Sequence, residues 1–317
     1  MSQPGGHERS RPPGDRGPLG RPPWGKEMNK TMNLKAGLLS ALILLLLVGI
    51  WQLATLPAAT GPVVTMTPEQ IEYAKLLGKD VGAAAGDGAA KSGFPTPAQF
   101  GAKVLDHLAS PFYDNGPNDK GIGLQLAYSL GRVALGFALA ALVAIPLGFL
   151  IGMSPLIYRA LDPFIQVLKP ISPLAWMPLA LYTIKDSNIS GIFVIFICSV
   201  WPMLLNTAFG VAGVRREWLN VAKTLEVNPL RKAFEVILPA AAPTILTGMR
   251  ISMGIAWLVI VAAEMLVGGT GIGYFVWNEW NNLSLTNVIF AILVIGLVGM
   301  LLDLLFARAQ KAVTYVD

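Results

Sequence analysis

Charge is what this 317-residue sequence has least of. Only 14% of its residues are Asp, Glu, Lys or Arg, against about a quarter in an ordinary soluble domain. The shortage is uneven. No charged residue lies between Lys35 and Glu69, Arg132 and Arg159, Asp186 and Arg215, or Glu279 and Asp303, and about 20 apolar residues suffice to cross a bilayer. Cysteine is nearly absent. Cys198 stands alone in an apolar run, which excludes an intrachain disulfide and leaves a small packing residue as the simple reading. The two histidines, His7 and His107, are far apart and offer no metal site. Neither a Gly-x-x-x-x-Gly-Lys-Ser/Thr phosphate loop nor a His-Glu-x-x-His zinc motif occurs, so the chain is not expected to hydrolyse ATP or to be an intramembrane zinc enzyme. The net charge is +5, but the bases form no aromatic-interleaved patch. No nucleic-acid partner is expected, and the charge reports topology instead.

What is present organises into an all-α, polytopic membrane chain. Residues 1–33 are rich in Gly, Pro, Arg and Ser and read as a disordered basic tail. The first span, 34–56, is long enough to be a retained anchor rather than a cleaved signal peptide. Residues 57–123 form an insertion with helical candidates at 67–78 and 97–109. It carries five Lys, no Arg and seven acidic residues, net −2, whereas seven bases and three acids give the stretch up to and including Lys35 a net +4. The positive-inside bias puts the tail in the cytoplasm and the insertion in the periplasm. Alternation then runs through spans at 124–152, 160–184, 188–212, 243–267 and 287–307. The third is interrupted by Asp162 and Lys169. The segment 268–286 has no Lys or Arg, as an external loop should, and the tail at 311–317 returns to the cytoplasm.

One loop, 213–242, is unlike the rest. Residues 217–239 read Glu-Trp-Leu-Asn-Val-Ala-Lys-Thr-Leu-Glu-Val-Asn-Pro-Leu-Arg-Lys-Ala-Phe-Glu-Val-Ile-Leu-Pro. They are polar, charged and helix-prone, and they lie between two apolar spans. A helix over 217–234 is expected, with a turn at Asn228-Pro229, because the residue before proline is driven from helical geometry. A surface helix without a partner is the simpler alternative.

The loop resembles the coupling motif of the permeases of ABC importers, which runs Glu-Ala-Ala, three residues, Gly, nine residues, Ile, one residue, Leu-Pro. Ala222 fits the second Ala, Val236 stands at the Ile position, and Leu238-Pro239 match the end. Asn220 replaces the acid and Glu226 replaces the Gly. Further stretches are similar to the nitrate, taurine and bicarbonate branch: Ser129-Leu-Gly-Arg132, Ile145-Pro-Leu-Gly148, Pro170-Ile-Ser-Pro-Leu-Ala-Trp-Met-Pro178, Thr247-Gly-Met-Arg250, Ala262-Ala-Glu-Met265 and Gly271-Ile-Gly-Tyr274. The run from Ile192 to Asn206 most resembles nitrate-type permeases.

The resemblance covers about 124–310 and implies six spans, a cytoplasmic coupling helix and a second copy of the chain. It also implies two cytoplasmic ATPase subunits that hold ATP and Mg, a periplasmic substrate-binding protein, and no cofactor on this chain. Nitrate import by alternating access is the function it favours, with bicarbonate, taurine or another sulfonate as alternative cargo. An ion-driven secondary transporter is more remote, since paired broken repeats are not seen. The residues implied in coupling are Glu217, Asn220, Ala222, Lys223, Glu226, Arg231, Leu238 and Pro239.

The spans supply pathway candidates. Arg250 and Glu264 are 14 residues apart, which on a helix is within about 40° of one face and about 21 Å along it. Charges in a span face protein or water, so this face, with Trp257, is expected on the pathway or a subunit interface. Arg250 reads equally as a snorkelling charge, and Glu264 as the ion-pair partner of Arg132. Ser199 and Asn206 recur with Pro202, Gly210 and Gly213 at helical spacing, a pattern that suits close packing or a polar lumen. Asp303 is expected as a terminal charge near Arg308. The aromatic stretch 271–280 is expected as an interfacial helix.

Overall fold

The computed structural model describes residues 24–55, 94–116 and 119–313. The candidate helix at 67–78 lies outside them. Two units separate, 1–58 and 59–317. In the first, α1 (Trp24–Ala54) contains an apolar stretch at Leu34–Ala54 long enough to span a bilayer.

The second unit is helical, and its described residues contain one isolated β-bridge, Asp114–Lys120. It opens with α2 (Pro97–Ala109), whose start is fixed by a reciprocal capping box between Thr96 and Gln99, satisfying two orphan backbone donors. The expectation at 97–109 holds residue for residue. The helix does not stand alone. The His107 ring stacks on Phe290 with centroids 4.7 Å apart, and its Nε2 meets Asn287 Oδ1 at 3.1 Å, tying the insertion to the last helix.

Then follow α3 (Ile122–Met153), α4 (Pro155–Leu168), α5 (Pro173–Ile184), α6 (Ser187–Ala212), α7 (Arg216–Thr224), α8 (Pro229–Lys232), a π-helical turn (Ala233–Ile237), α9 (Leu238–Val267), α10 (Ile272–Asn281) and α11 (Leu285–Val313). Helix α6 is the axis, with α3 and α9 packed along it. The approach to α3 is close because Gly136, Gly148 and Gly152 face Ile195, Thr207 and Val211 of α6, where a methyl group would clash. In lipid, where no hydrophobic drive brings helices together, such small-residue contact supplies the association. Val133, Ala140, Ala144, Val194, Met203, Ala256 and Ile260 fill the core between them.

Five described helical segments are long and apolar enough to cross a membrane. The expected third span at 160–184 is not one helix. Its residues fall in α4 and α5, bent by 91° at the intervening break. Pro170 and Pro173 cause the break, and Ser172, held extended before Pro173 at ψ 136°, cannot continue the turn. Counted as one bent span, the pair brings the total to six. The aromatic stretch 271–280 forms α10, as expected, with Trp277 and Trp280 edge to face at 5.1 Å.

Candidate functional site

Helix α9 carries Glu264 three residues before its end, and the carboxylate is buried at 4% exposure. A bare carboxylate there would cost several kcal/mol. The sequence around it removes that cost. Arg132 of α3 donates through Nη1 at 2.7 Å, Ser129 lies one turn before it with Oγ at 2.8 Å, and the Gly273 amide donates at 3.0 Å. Arg132 also donates to the Thr270 carbonyl and, through Nε and Nη2, to Asn188 Oδ1 of α6 at 3.1 and 2.6 Å.

The same cluster caps α10. Its first amides have no helical acceptors, and three go to side chains: Gly271 to Gln125 Oε1, Ile272 to Ser129 Oγ, and Gly273 to Glu264. A negative carboxylate at a helix N-terminus is favourable in itself. Gly271 is obligatory, because a β-carbon there would fall onto the Glu264 carboxylate. Four helices are thus knotted at one charge-neutral point. A cavity of about 250 Å³ opens beside it, lined by Tyr128, Arg132, Met177, Asn188 and Ile260 among others.

The other pathway candidates do not gather here. Arg250 forms a two-pronged ion pair with Asp303 of α11, both bonds 2.6 Å. Asp303 is therefore the partner of Arg250 rather than a terminal charge beside Arg308, since the guanidinium fork matches the carboxylate geometry. Arg250 and Glu264 share a helix but reach different neighbours. Trp257 is buried and donates to the Ile295 carbonyl at 3.0 Å, fastening α9 to α11. The buried Ser199 hydroxyl has no bond partner among the described residues, while the Ser199 carbonyl accepts from Ser252 of α9, a packing role. Asn206 donates to the Pro202 carbonyl and lines a separate cavity of about 570 Å³ with Tyr158 and Phe209.

In the loop, the expected helix over 217–234 is shorter. It stops at Thr224 in a Schellman turn: Val227 N–H bonds the Ala222 carbonyl and Glu226 N–H the Lys223 carbonyl. Glu226 adopts φ +49°, the left-handed conformation that this turn demands and that glycine takes most cheaply. The one departure from glycine in the motif thus sits where a glycine would serve. Asn228 then accepts from Leu230 N–H and starts α8. Leu219, Leu238 and buried Ala222 and Ile237 turn inward, and Arg231 pairs with Glu235 at 2.8 Å. Glu217, Asn220, Lys223 and Pro239 are exposed. Trp218, Val221, Leu225, Leu230 and Phe234 form an exposed apolar series on the same loop.

Sequence reading named Arg132 and Glu264 but missed Ser129 as a site residue, and missed Gln125 and Asn188, which are ordinary amides until the α10 terminus is built over them. It treated Lys169 only as an interruption.

Comparison with known proteins follows this geometry. Residues 144–314 match the family described as binding-protein-dependent transport system inner membrane component. The nitrate import permease protein NrtB of Synechocystis sp. is 46% identical over 222 residues, 70% of this chain and 81% of that one. The bicarbonate transport system permease protein CmpB of the same organism is 46% identical over 207 residues, 65% and 74% respectively. The taurine transport system permease protein TauC of Escherichia coli is 33% identical over 220 residues, 69% and 78%. An inward-facing structure of the MetNI methionine ABC transporter shares the fold, with TM-score 0.54 at 14% identity, over 60% of this chain and 94% of that one. The chain belongs to the binding-protein-dependent inner-membrane transport family, as an ABC-importer permease of the nitrate, bicarbonate and taurine branch.

Proposed function

We propose that this permease imports nitrate. It would act as a pair of copies, with two ATPase subunits that hold ATP and Mg and a binding protein that delivers the anion. The observation that carries the coupling half is the exposed apolar series on the loop of α7 and α8. A short helix hung between spans, ended by a fixed turn and edged by Glu217, Asn220 and Lys223, suits insertion into a cleft of an ATPase. Closure of the ATPases would move it as a rigid body. The charge bias of the loops supports a cytoplasmic α7 and cytoplasmic termini.

Nitrate is favoured because relatives named as nitrate import permeases reach 46% and 47% identity. Bicarbonate is the second reading, carried by a relative named for it at 46%. The test is ATPase activity of the reconstituted complex in lipid nanodiscs, with nitrate, nitrite, bicarbonate and taurine added separately. Stimulation by nitrate is expected. Stimulation by bicarbonate or taurine alone transfers the cargo, and stimulation by none refutes the proposal.

A further inference from the structure

The bent pair α4–α5 breaks in the middle of an otherwise apolar stretch. Non-helical backbone within a span is tolerated only against protein or a water-filled cavity, and the break in this pair, read as one bent span, borders a cavity. Lys169, Ser172, Trp176, Cys198, Trp201 and Pro202 line a cavity of about 280 Å³. At ~30 Å³ per water, that is room for a small anion with part of its hydration shell.

The lining is biased towards donors. The Lys169 ammonium makes no ion pair or hydrogen bond with any described residue. Asp162, two turns back on the same helix, is instead bonded by Gln166 at 2.6 Å. The indole N–H groups of Trp176 and Trp201 likewise have no described acceptor. Ammonium and indole N–H can only donate, and no carboxylate lines the space. The positive charges in the neighbouring spans are already cancelled, Arg132 by Glu264 and Arg250 by Asp303. Lys169 is itself exposed at the end of α4, open to an ion that enters this space. Broken helices are also where other transporters hold ions.

We infer that this cavity is a transient subsite for a small monovalent oxyanion, with Lys169 as its charge and the two tryptophans as further donors. The inference rests on the anion-import reading above and names the site where the permease meets its cargo. A single unpaired cation suits a way station. Each added charge would deepen the well and slow release.

The test uses the complete complex in proteoliposomes. K169Q should lower the maximal rate of nitrate uptake by about tenfold, the size of one lost charge-assisted hydrogen bond. The half-saturating concentration, set by the binding protein, should hold, and K169R should keep most of the rate. A second measurement does not depend on transport. Cys198 is the chain's one cysteine, so K169C in a C198A chain, itself the reference, carries a single thiol. Nitrate should slow alkylation at residue 169, read by mass spectrometry. An ethylammonium thiosulfonate should restore uptake where a sulfonatoethyl reagent does not. Unchanged uptake in K169Q, nitrate-independent alkylation, or equal rescue by both reagents overturns the subsite. A wild-type complex that moves none of nitrate, nitrite, bicarbonate or taurine overturns the anion-import reading instead.

Discussion

Glu264 and Arg132 offer the sharpest test of how the four-helix knot is built. Their side chains are 4% and 13% exposed and 2.7 Å apart, so each is the other's solvent. Replacing Glu264 by Gln keeps the shape and removes the charge. Arg132 then stays buried beside a neutral amide, and the added amide hydrogens face donors, Ser129 Oγ–H and Gly273 N–H. Breaking a buried pair in this way costs about 3–5 kcal/mol. R132M should cost a similar amount by stranding the carboxylate. The double variant leaves no lone charge, so its loss should fall short of the sum of the singles by about 2–3 kcal/mol, the upper range for coupled neighbours. At about 2–4 °C per kcal/mol for a body of this size, E264Q should lower the unfolding midpoint by roughly 10 °C. The assay is tryptophan fluorescence of the permease in nanodiscs on heating, for the wild type, both singles and the double. Single losses that add to within about 0.5 kcal/mol of the double refute the argument, as does an E264Q chain that melts with the wild type.

Two further predictions concern the other charged elements. E226G should hold or raise stability by about 1 kcal/mol, because φ +49° suits glycine better than glutamate, and coupling should persist. E226R should keep the turn and abolish substrate-stimulated ATPase activity while the protein remains in the membrane. Loss of coupling in E226G, or normal coupling in E226R, removes the assigned role. For Arg250 and Asp303, either single reversal should reduce assembled permease on membranes, and R250D/D303R should restore it. A double reversal no better than the singles shows that the pair does not act as a unit.

Much of the fold was legible because the membrane simplifies the code. Length and apolarity alone place the spans of α3, α6, α9 and α11 and the apolar part of α1, which begins earlier, at Trp24, inside the tail read as disordered, and the candidate at 97–109 coincides with α2. The failures are instructive. Residues 160–184 have the composition of a span, and composition cannot show that Pro170 and Pro173 turn the chain through 91°. The loop helix ended early for the same local reason, a left-handed Glu226 that pattern reading treats as one more helix former. The site divides in the same way. Spacing along one helix puts Arg250 and Glu264 near one face, but which neighbour each meets depends on α3 and α11, whose registers the sequence does not state. Arg132 with Glu264 could be named as a pair because both are isolated charges in apolar runs. Gln125 and Asn188 could not, because a neutral amide carries no such signature.

On the proposed anion import, the arrangement of charge bears on how the cargo would pass. A pathway lined by unpaired arginines would bind its cargo too well to release it, and one lined by carboxylates would repel it. Here two arginines in the spans are neutralised by Glu264 and Asp303 and spent on holding helices together. Their sites are fixed points around which other elements can move. Lys169 lies instead at a break between two short helices, where the backbone is already out of the helical ladder, and it lines the cavity beside that break. Under the proposed coupling, motion of the loop of α7 would reach that break through α6, which packs against both α5 and α9. On this reading the rigid charges set the frame, and Lys169 sits where the frame can open.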